Sequence, residues 1–366
     1  MADKKISKAK SIRRTKNFVE LAISVVIVGS CAYLIKGVSD RSTTVAPSPY
    51  VDNAQVEEVT VPDETVIDPN QTIYESTLVP TKDKFKGDLI LVNNNTQYFS
   101  GDEDLVSVIE KNEELDVTYF GAFDYSTQIL ASVYEPMRQM VEGFNVATGY
   151  DDIVIYGGYR TNAVQQQLYD DDLAANGTTE STRVAKPGYS EHESGYAFDI
   201  SKSPDYDYDG TGEYEWFSKN CQKYGFILRY PEGKESITEI QYEPWHFRYV
   251  GIPHASYIMA NGLCFEEYID LVRQHPYDGE HLEFADVNGK NHEVYFVASD
   301  DGNDTTSIPV PTGKKYDISG NNSDGFIVTV HEDEPVEETV PETTEASAET
   351  VEGEDAVTDE YSDEVQ

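Results

Sequence analysis

The sequence predicts an α+β fold rather than a doubly wound one, on three observations. Helical stretches and β-prone runs follow one another without regular alternation. The β-prone runs in the middle of the chain are short, at residues 153–159, 195–201, 226–230 and 245–250. After His275 the helical pattern ends, and further short runs at 293–298, 307–310 and 326–330 are separated by turn residues.

Taken in order, the chain opens on a basic cluster (Lys4, Lys5, Lys8, Lys10, Arg13, Arg14, Lys16) over residues 1–17. Residues 18–35 are then apolar apart from Glu20, Ser24 and Ser30. That is about the minimum for a spanning helix, roughly 17–25 residues, and the charge before it predicts a cytoplasmic N-terminus with the rest exported. The favoured reading is one transmembrane signal anchor over 18–36. A cleaved signal peptide and a lipoprotein signal at Val28-Gly29-Ser30-Cys31 are the alternatives, the last weakened because residues 32–35 continue the apolar run. All three put the folded region outside the cytoplasmic membrane, so the expected location is a single-pass cell-membrane protein with an extracellular domain.

Residues 37–85 are rich in Ser, Thr, Val, Pro and Asp without periodicity and read as an extended linker. The main domain, 86–275, starts near the apolar run 89–92. Residues 125–144 read as a helix with Ile129, Val133, Met137 and Val141 on one face. Residues 162–175 form a second helix ended by Asn176-Gly177. A third, 214–224, stops at Gly225, and 265–274 is a fourth. Residues 276–331 read as a small β-rich addition. Residues 332–366 contain no Lys or Arg and many Glu and Asp, and are expected to be a disordered acidic tail.

The 366 residues carry 68 acidic against 27 basic side chains, a net charge of −41. That excess argues against nucleic acid as a partner, since phosphate binding needs a basic surface. Of three cysteines, Cys31 lies in the apolar stretch, which leaves Cys221 and Cys264 either free or paired; this is no disulfide-built scaffold.

Two segments concentrate unusual residues: 187–200, with His192 and Asp199, and 242–251, with Glu243 and His246. If 195–200 is a strand, Tyr196, Phe198 and Ile200 face the core, and Gly195, Ala197 and Asp199 face the other way. The small residues beside Asp199 leave open space above its carboxylate. His192 stands just before the strand, and His246 can arrive from a neighbouring one. Two His and one carboxylate leave zinc an open position for water, the catalytic rather than the structural arrangement, and acidify that water towards neutral pH. Glu243 and His246 would point to opposite faces of a regular strand, so their convergence needs an irregular start, which Pro244 favours. Glu243 is then the candidate general base. Arg160, with a planar fork suited to carboxylates, is the candidate cation; Arg183, Lys186 and Arg248 are weaker ones. Trp245 and Tyr249 are core residues on strand parity, while Tyr159 and Gln165 fit either role. His254, His275, His281, His292 and His331 receive no metal role.

The pattern Ser190-x-His192-x-x-Gly195-x-Ala197-x-Asp199, followed by Glu243-x-x-His246, resembles the VanY-type D-alanyl-D-alanine carboxypeptidases. These belong to the zinc peptidases that include lysostaphin-like enzymes and the hedgehog signalling domain. Gly158-Tyr159-Arg160-Thr161, Gln165-Gln166 and residues 226–231 resemble further family segments, and the likeness covers roughly 120–270. It implies a small α+β domain with a central antiparallel sheet and flanking helices. It implies Zn2+ on His192, Asp199 and His246, Glu243 as base, and Arg160 at the oxyanion or substrate carbonyl. Ser190 would line the substrate site, with Gln165, Tyr159 and Trp245 as further substrate contacts. Glu239 departs from the pattern, which leads one to look for glycine before the last motif. The implied partner is the peptidoglycan stem peptide on the cell-wall side, and the implied activity is removal of its terminal D-alanine. An L,D-carboxypeptidase, an endopeptidase on the same peptides and a catalytically silent wall-binding module are the alternatives.

Overall fold

The computed structural model describes residues 72–99, 101 and 103–335, all within the compact unit Asp68–Gln366. The expected basic segment 1–17, the membrane span 18–36, residues 37–71 of the linker and the tail beyond residue 335 lie outside the described residues. Among the described residues no helix is long and apolar enough to cross a membrane.

In chain order the strands are β1 (Tyr74–Pro80), β2 (Leu105–Ser107), β3 (Gly121–Ala122), β4 (Gln128–Leu130), β5 (Ile153–Gly157), β6 (Ala197–Lys202), β7 (Phe226–Leu228), β8 (His246–Tyr249), β9 (Leu282–Ala285), β10 (Asn291–Ala298), β11 (Thr305–Pro311), β12 (Lys314–Gly320) and β13 (Gly325–Pro335). The central sheet has the order β3-β5-β6-β8-β7. It is antiparallel except at one edge, where β3 runs parallel to β5. The mixed helix-and-sheet class agrees with the sequence reading; the wholly antiparallel sheet is corrected by that edge pair.

Strand parity builds the core. Phe198 and Ile200 of β6 pack with Ile153 and Ile155 of β5, Phe226 of β7 and Phe247 of β8. The helix Ala131–Thr148 closes this face with Val133, Met137, Met140, Val141 and Phe144, all fully buried. Each such side chain contributes ~1.5–3 kcal/mol over its exposed state. The helix starts six residues later than the periodicity suggested. Asp124 Oδ1 accepts from the Ser126 backbone at 2.8 Å, which fixes a turn, and β4 then pairs with β2 before the helix begins.

The helix Asn162–Asn176 is capped by Thr161, whose hydroxyl accepts from Val164 N at 3.3 Å, and ends at Gly177 in the left-handed conformation. Phe265–Arg273 is helical as expected. A helix at Ile252–Asn261 was not anticipated; it starts after Gly251, carries Pro in its first turn and ends at Gly262. Cys221 and Cys264 are both free and buried.

The β-rich addition is a four-stranded antiparallel sheet, β12-β13-β10-β9. It shares a core with the last helices, where Leu282, Val294 and Ile327 meet Phe265, Ile269 and Val272. The linker expectation is corrected over its last part. Residues 74–80 form β1, paired antiparallel with β11, and Thr81–Phe85 is a 3-10 turn. The first residues of the expected acidic tail also belong to the sheet, since β13 continues to Pro335. Lys314, Lys290 and Lys315 meet Glu332 and Glu334 there, at 2.6–2.7 Å.

Candidate active site

Three neighbouring strands present the site from one face of the central sheet. Antiparallel pairing sets Asp199 of β6 opposite His246 of β8 on one side and Gly157 of β5 on the other. A Cβ at Gly157 would stand 2.5 Å from Asp199 Oδ2 and 2.9 Å from Arg160 Nη2. Glycine is therefore needed there for the carboxylate and the guanidinium to coexist. Sequence reading credited the open space to Gly195 and Ala197 alone, because the role of Gly157 depends on a cross-strand neighbour.

His192 comes from the 3-10 turn Glu191–Ser194, ended by Gly195 at φ +72°. Its Nδ1 lies 2.7 Å from the Gly158 carbonyl, which can only accept, so that nitrogen carries the proton and Nε2 is free. Nε2 stands 3.3 Å from Asp199 Oδ2. His246 turns Nδ1 to Asp199 Oδ1 at 3.1 Å and to Glu243 Oε2 at 3.7 Å. The convergence of Glu243 and His246 takes the anticipated form, with β8 beginning at His246 and residues 243–245 lying outside the strand.

Ligand atoms of His192, Asp199 and His246 lie within 4.8 Å of one another, all three residues buried. Asp199 Oδ1 is buried without a hydrogen-bond partner although it faces an imidazole nitrogen. A cation among these atoms would satisfy that oxygen. Nitrogen and carboxylate donors in this number suit zinc.

The electrostatics divide the roles. Burial, then the charge of Arg160, pushes the His192 imidazole down to about 4, so it stays neutral. Burial raises the Asp199 carboxyl, but the two imidazoles outweigh it and hold the group well below the carboxylate range. Burial lifts Glu243 to about 7, where a carboxylate both takes and returns a proton near neutrality. Behind His246 lies a residue that sequence reading missed. Glu191 is fully buried, and its Oε1 accepts from Arg229 at 2.7 Å and Arg248 at 3.1 Å. Its Oε2 faces His246 Nε2 at 3.5 Å. The Ser-x-His spacing names the residue between as free; only the fold shows it clamped by two arginines.

A cavity of about 360 Å³ opens over the trio, lined also by Glu243, Arg160, Ser190, Gln165, Trp245 and Tyr230. Arg160 Nη2 donates to Asp199 Oδ2 at 2.8 Å. Gln165 is buried, donates to the Ala185 carbonyl at 2.8 Å and keeps an unpartnered Oε1. Trp245 both lines the cavity and packs on the core. Tyr159 does not line it. Its backbone N–H is fastened to the Gln128 carbonyl, and Tyr156 lines the cavity instead. Of the weaker cations, Arg183 lines the cavity, Lys186 does not, and Arg248 is buried in the Glu191 network with bonds to the Asp88 and Ile90 carbonyls. Glu239, where glycine was looked for, has φ +59° at the end of the turn Glu235–Thr238, a conformation that glycine adopts without strain.

Residues 127–252 match the family model described as VanY, D-alanyl-D-alanine carboxypeptidase. The chain is 36% identical over 249 residues to a D-alanyl-D-alanine carboxypeptidase of Enterococcus faecium, covering 67% of this chain and 76% of that one. It is 38% identical over 176 residues to the bifunctional D-Ala-D-Ala dipeptidase and D-Ala-D-Ala carboxypeptidase VanXYC of Enterococcus gallinarum, covering 45% of this chain and 90% of that one. Among solved structures it is similar to the vancomycin resistance D,D-dipeptidase VanXYg in complex with a D-Ala-D-Ala phosphinate analog. That likeness has a TM-score of 0.62 and 30% identity, over 71% of this chain and 99% of the other. With the site geometry and these relatives together, the chain belongs to the VanY D-alanyl-D-alanine carboxypeptidase family and is a carboxypeptidase.

Proposed function

We propose that this carboxypeptidase is zinc-dependent and removes the C-terminal D-alanine from peptidoglycan stem peptides. The observation that carries this reading is the buried His192–Asp199–His246 trio with Glu243 beside it in the same cavity. The VanXYg relative binds a D-Ala-D-Ala phosphinate analog, which supports a D-Ala-D-Ala terminus as the group recognised here. The apolar run that begins at residue 18, with the basic cluster before it, supports a membrane anchor with the site on the cell-wall side.

His192, Asp199 and His246 would hold the zinc ion through Nε2, the carboxylate and Nδ1. Bound zinc supplies Lewis acidity to the scissile carbonyl and acidifies water. Glu243 takes the proton from the attacking water and passes it to the leaving D-alanine amine. Burial suits it to both steps, since a group near 7 is a base before attack and an acid after it. Arg160 donates from the cavity wall to the carbonyl or the terminal carboxylate. Ser190, Gln165 and Trp245 line the pocket for the peptide.

Glu243→Ala separates the base from the metal ligands. Turnover of a pentapeptide stem should fall ~10²–10⁴-fold, with the zinc content of the unaltered chain retained by elemental analysis. Near-normal turnover would show that another group moves the proton.

A further inference from the structure

His292 on β10 and His331 on β13 have no part in the catalytic site. They are direct cross-strand partners, both buried, with rings nearly perpendicular and centroids 5.1 Å apart. Each ring turns one nitrogen to a carboxylate. His292 Nε2 lies 3.3 Å from Asp286 Oδ2, and His331 Nε2 lies 2.7 Å from Asp317 Oδ2. An ionised carboxylate only accepts, so both Nε2 atoms carry the proton. The two Nδ1 atoms, 3.2 Å apart, are then left as lone pairs facing one another. Such a pair is held together by something positive between the rings, either an extra proton or a metal cation.

The spacing suits the cation. Zinc–nitrogen bonds of about 2.0–2.1 Å at a tetrahedral angle put two ligand nitrogens ~3.3 Å apart. A carboxylate on the far nitrogen of each ring is the arrangement that orients a metal-binding imidazole and raises its basicity. Both histidines line a cavity of about 430 Å³ beside residues 249–254, with room for water in the remaining positions. The third imidazole of that cavity, His254, is committed to the Tyr268 hydroxyl at 2.6 Å and the Thr329 hydroxyl at 3.0 Å. Lys290 and Lys315 both pair with Glu334, so their charges are met.

We infer that His292 and His331 form a second divalent transition-metal site, independent of the catalytic one, with water completing the shell. Among the described residues the catalytic trio is the one group that brings three protein ligands within mutual reach, so the second site binds more weakly. The ion cross-links β10 to β13 and, through Asp286 and Asp317, fixes the turn after β9 and strand β12.

The test is zinc titration of the full chain carrying His192→Ala and His246→Ala, which removes the catalytic site. One equivalent of zinc should still bind, raising the unfolding temperature and shifting the imidazole ¹⁵N signals of His292 and His331 at Nδ1. Adding His292→Gln and His331→Gln should abolish that equivalent. In the otherwise unaltered chain the same two changes should leave carboxypeptidase turnover intact. No zinc uptake by the first variant, or unmoved Nδ1 signals, would show that a proton fills the gap and overturn the proposal. So would the same equivalent persisting after both glutamine substitutions. The ¹⁵N readout decides the matter even if the fourfold variant does not fold.

Discussion

His246 sits among three carboxylates, with Nδ1 towards Asp199 and Glu243 and Nε2 towards Glu191. Burial pushes its imidazole down, but the facing Asp199 and Glu191 carboxylates outweigh that and hold it up at about 9. Below that pH the ring binds a proton at the nitrogen a metal would need. Zinc uptake near neutral pH must therefore displace it. Zinc affinity should rise with pH through neutrality and level off near 9, with about one proton released per zinc. Calorimetry in buffers of differing ionisation enthalpy measures that number; zero proton release would mean His246 is already neutral. Much of this scale was legible in the sequence. His192, Asp199, Glu243, His246 and Arg160 all meet in one cavity, because their identities and spacings are local signals. Glu191 and Tyr230 were not legible, since a buried glutamate is indistinguishable from a surface one until Arg229 and Arg248 are seen against it.

At the scale of elements, register decides the site. Asp199 is held between Gly157 and His246 by the pairing of β5, β6 and β8. Gly157→Ala puts a methyl group against Asp199 Oδ2 and Arg160 Nη2, both ends of movable side chains rather than backbone. The fold should survive while the site shifts. Zinc affinity should drop ~10–100-fold, as when a ligand's supporting contact is lost, with circular dichroism unchanged. Unaltered affinity would mean that Asp199 tolerates the displacement. Elements marked by their own punctuation were readable, such as the helix Asn162–Asn176 with Thr161 before it and Gly177 after it. The start of Ala131–Thr148 was not, because Ile129 continues the helical spacing while belonging to β4. Strand β1 was hidden for another reason: its pairing partner β11 lies far along the chain, and β1 itself does not alternate cleanly and leaves Leu78 exposed.

Across the whole molecule, the buried charge network ties the site to its support. Arg229 bridges Glu191 to Glu266 of the helix Phe265–Arg273, which in turn packs on the β-rich sheet. Burial raises the Glu191 carboxyl, but Arg229 and Arg248 outweigh it and hold it well below the ordinary range. Burial, then His292 and His331, pushes His254 down to about 3. Both groups bind fewer protons folded than unfolded, so stability rises with pH. The His254 contribution is complete above its unfolded value of about 6.5, and that of Glu191 above about 4.3. Both are lost as pH falls towards the depressed folded values. In a Glu243→Gln chain, which lacks the raised carboxyl that works in the opposite sense over this range, urea midpoints should therefore decline from about pH 6.5 downward and steepen below about 4.3. A flat profile between pH 7 and 5 would place a proton on His254 in the folded chain.

The most direct measurement is mass spectrometry of muropeptide stems incubated with the full chain, with and without a zinc chelator. Loss of one alanine from pentapeptide stems, abolished by the chelator and restored by zinc, is the expected result. Cleavage that persists undiminished after zinc has been removed, or no cleavage of any stem by chain confirmed to hold zinc at His192, Asp199 and His246, would contradict it.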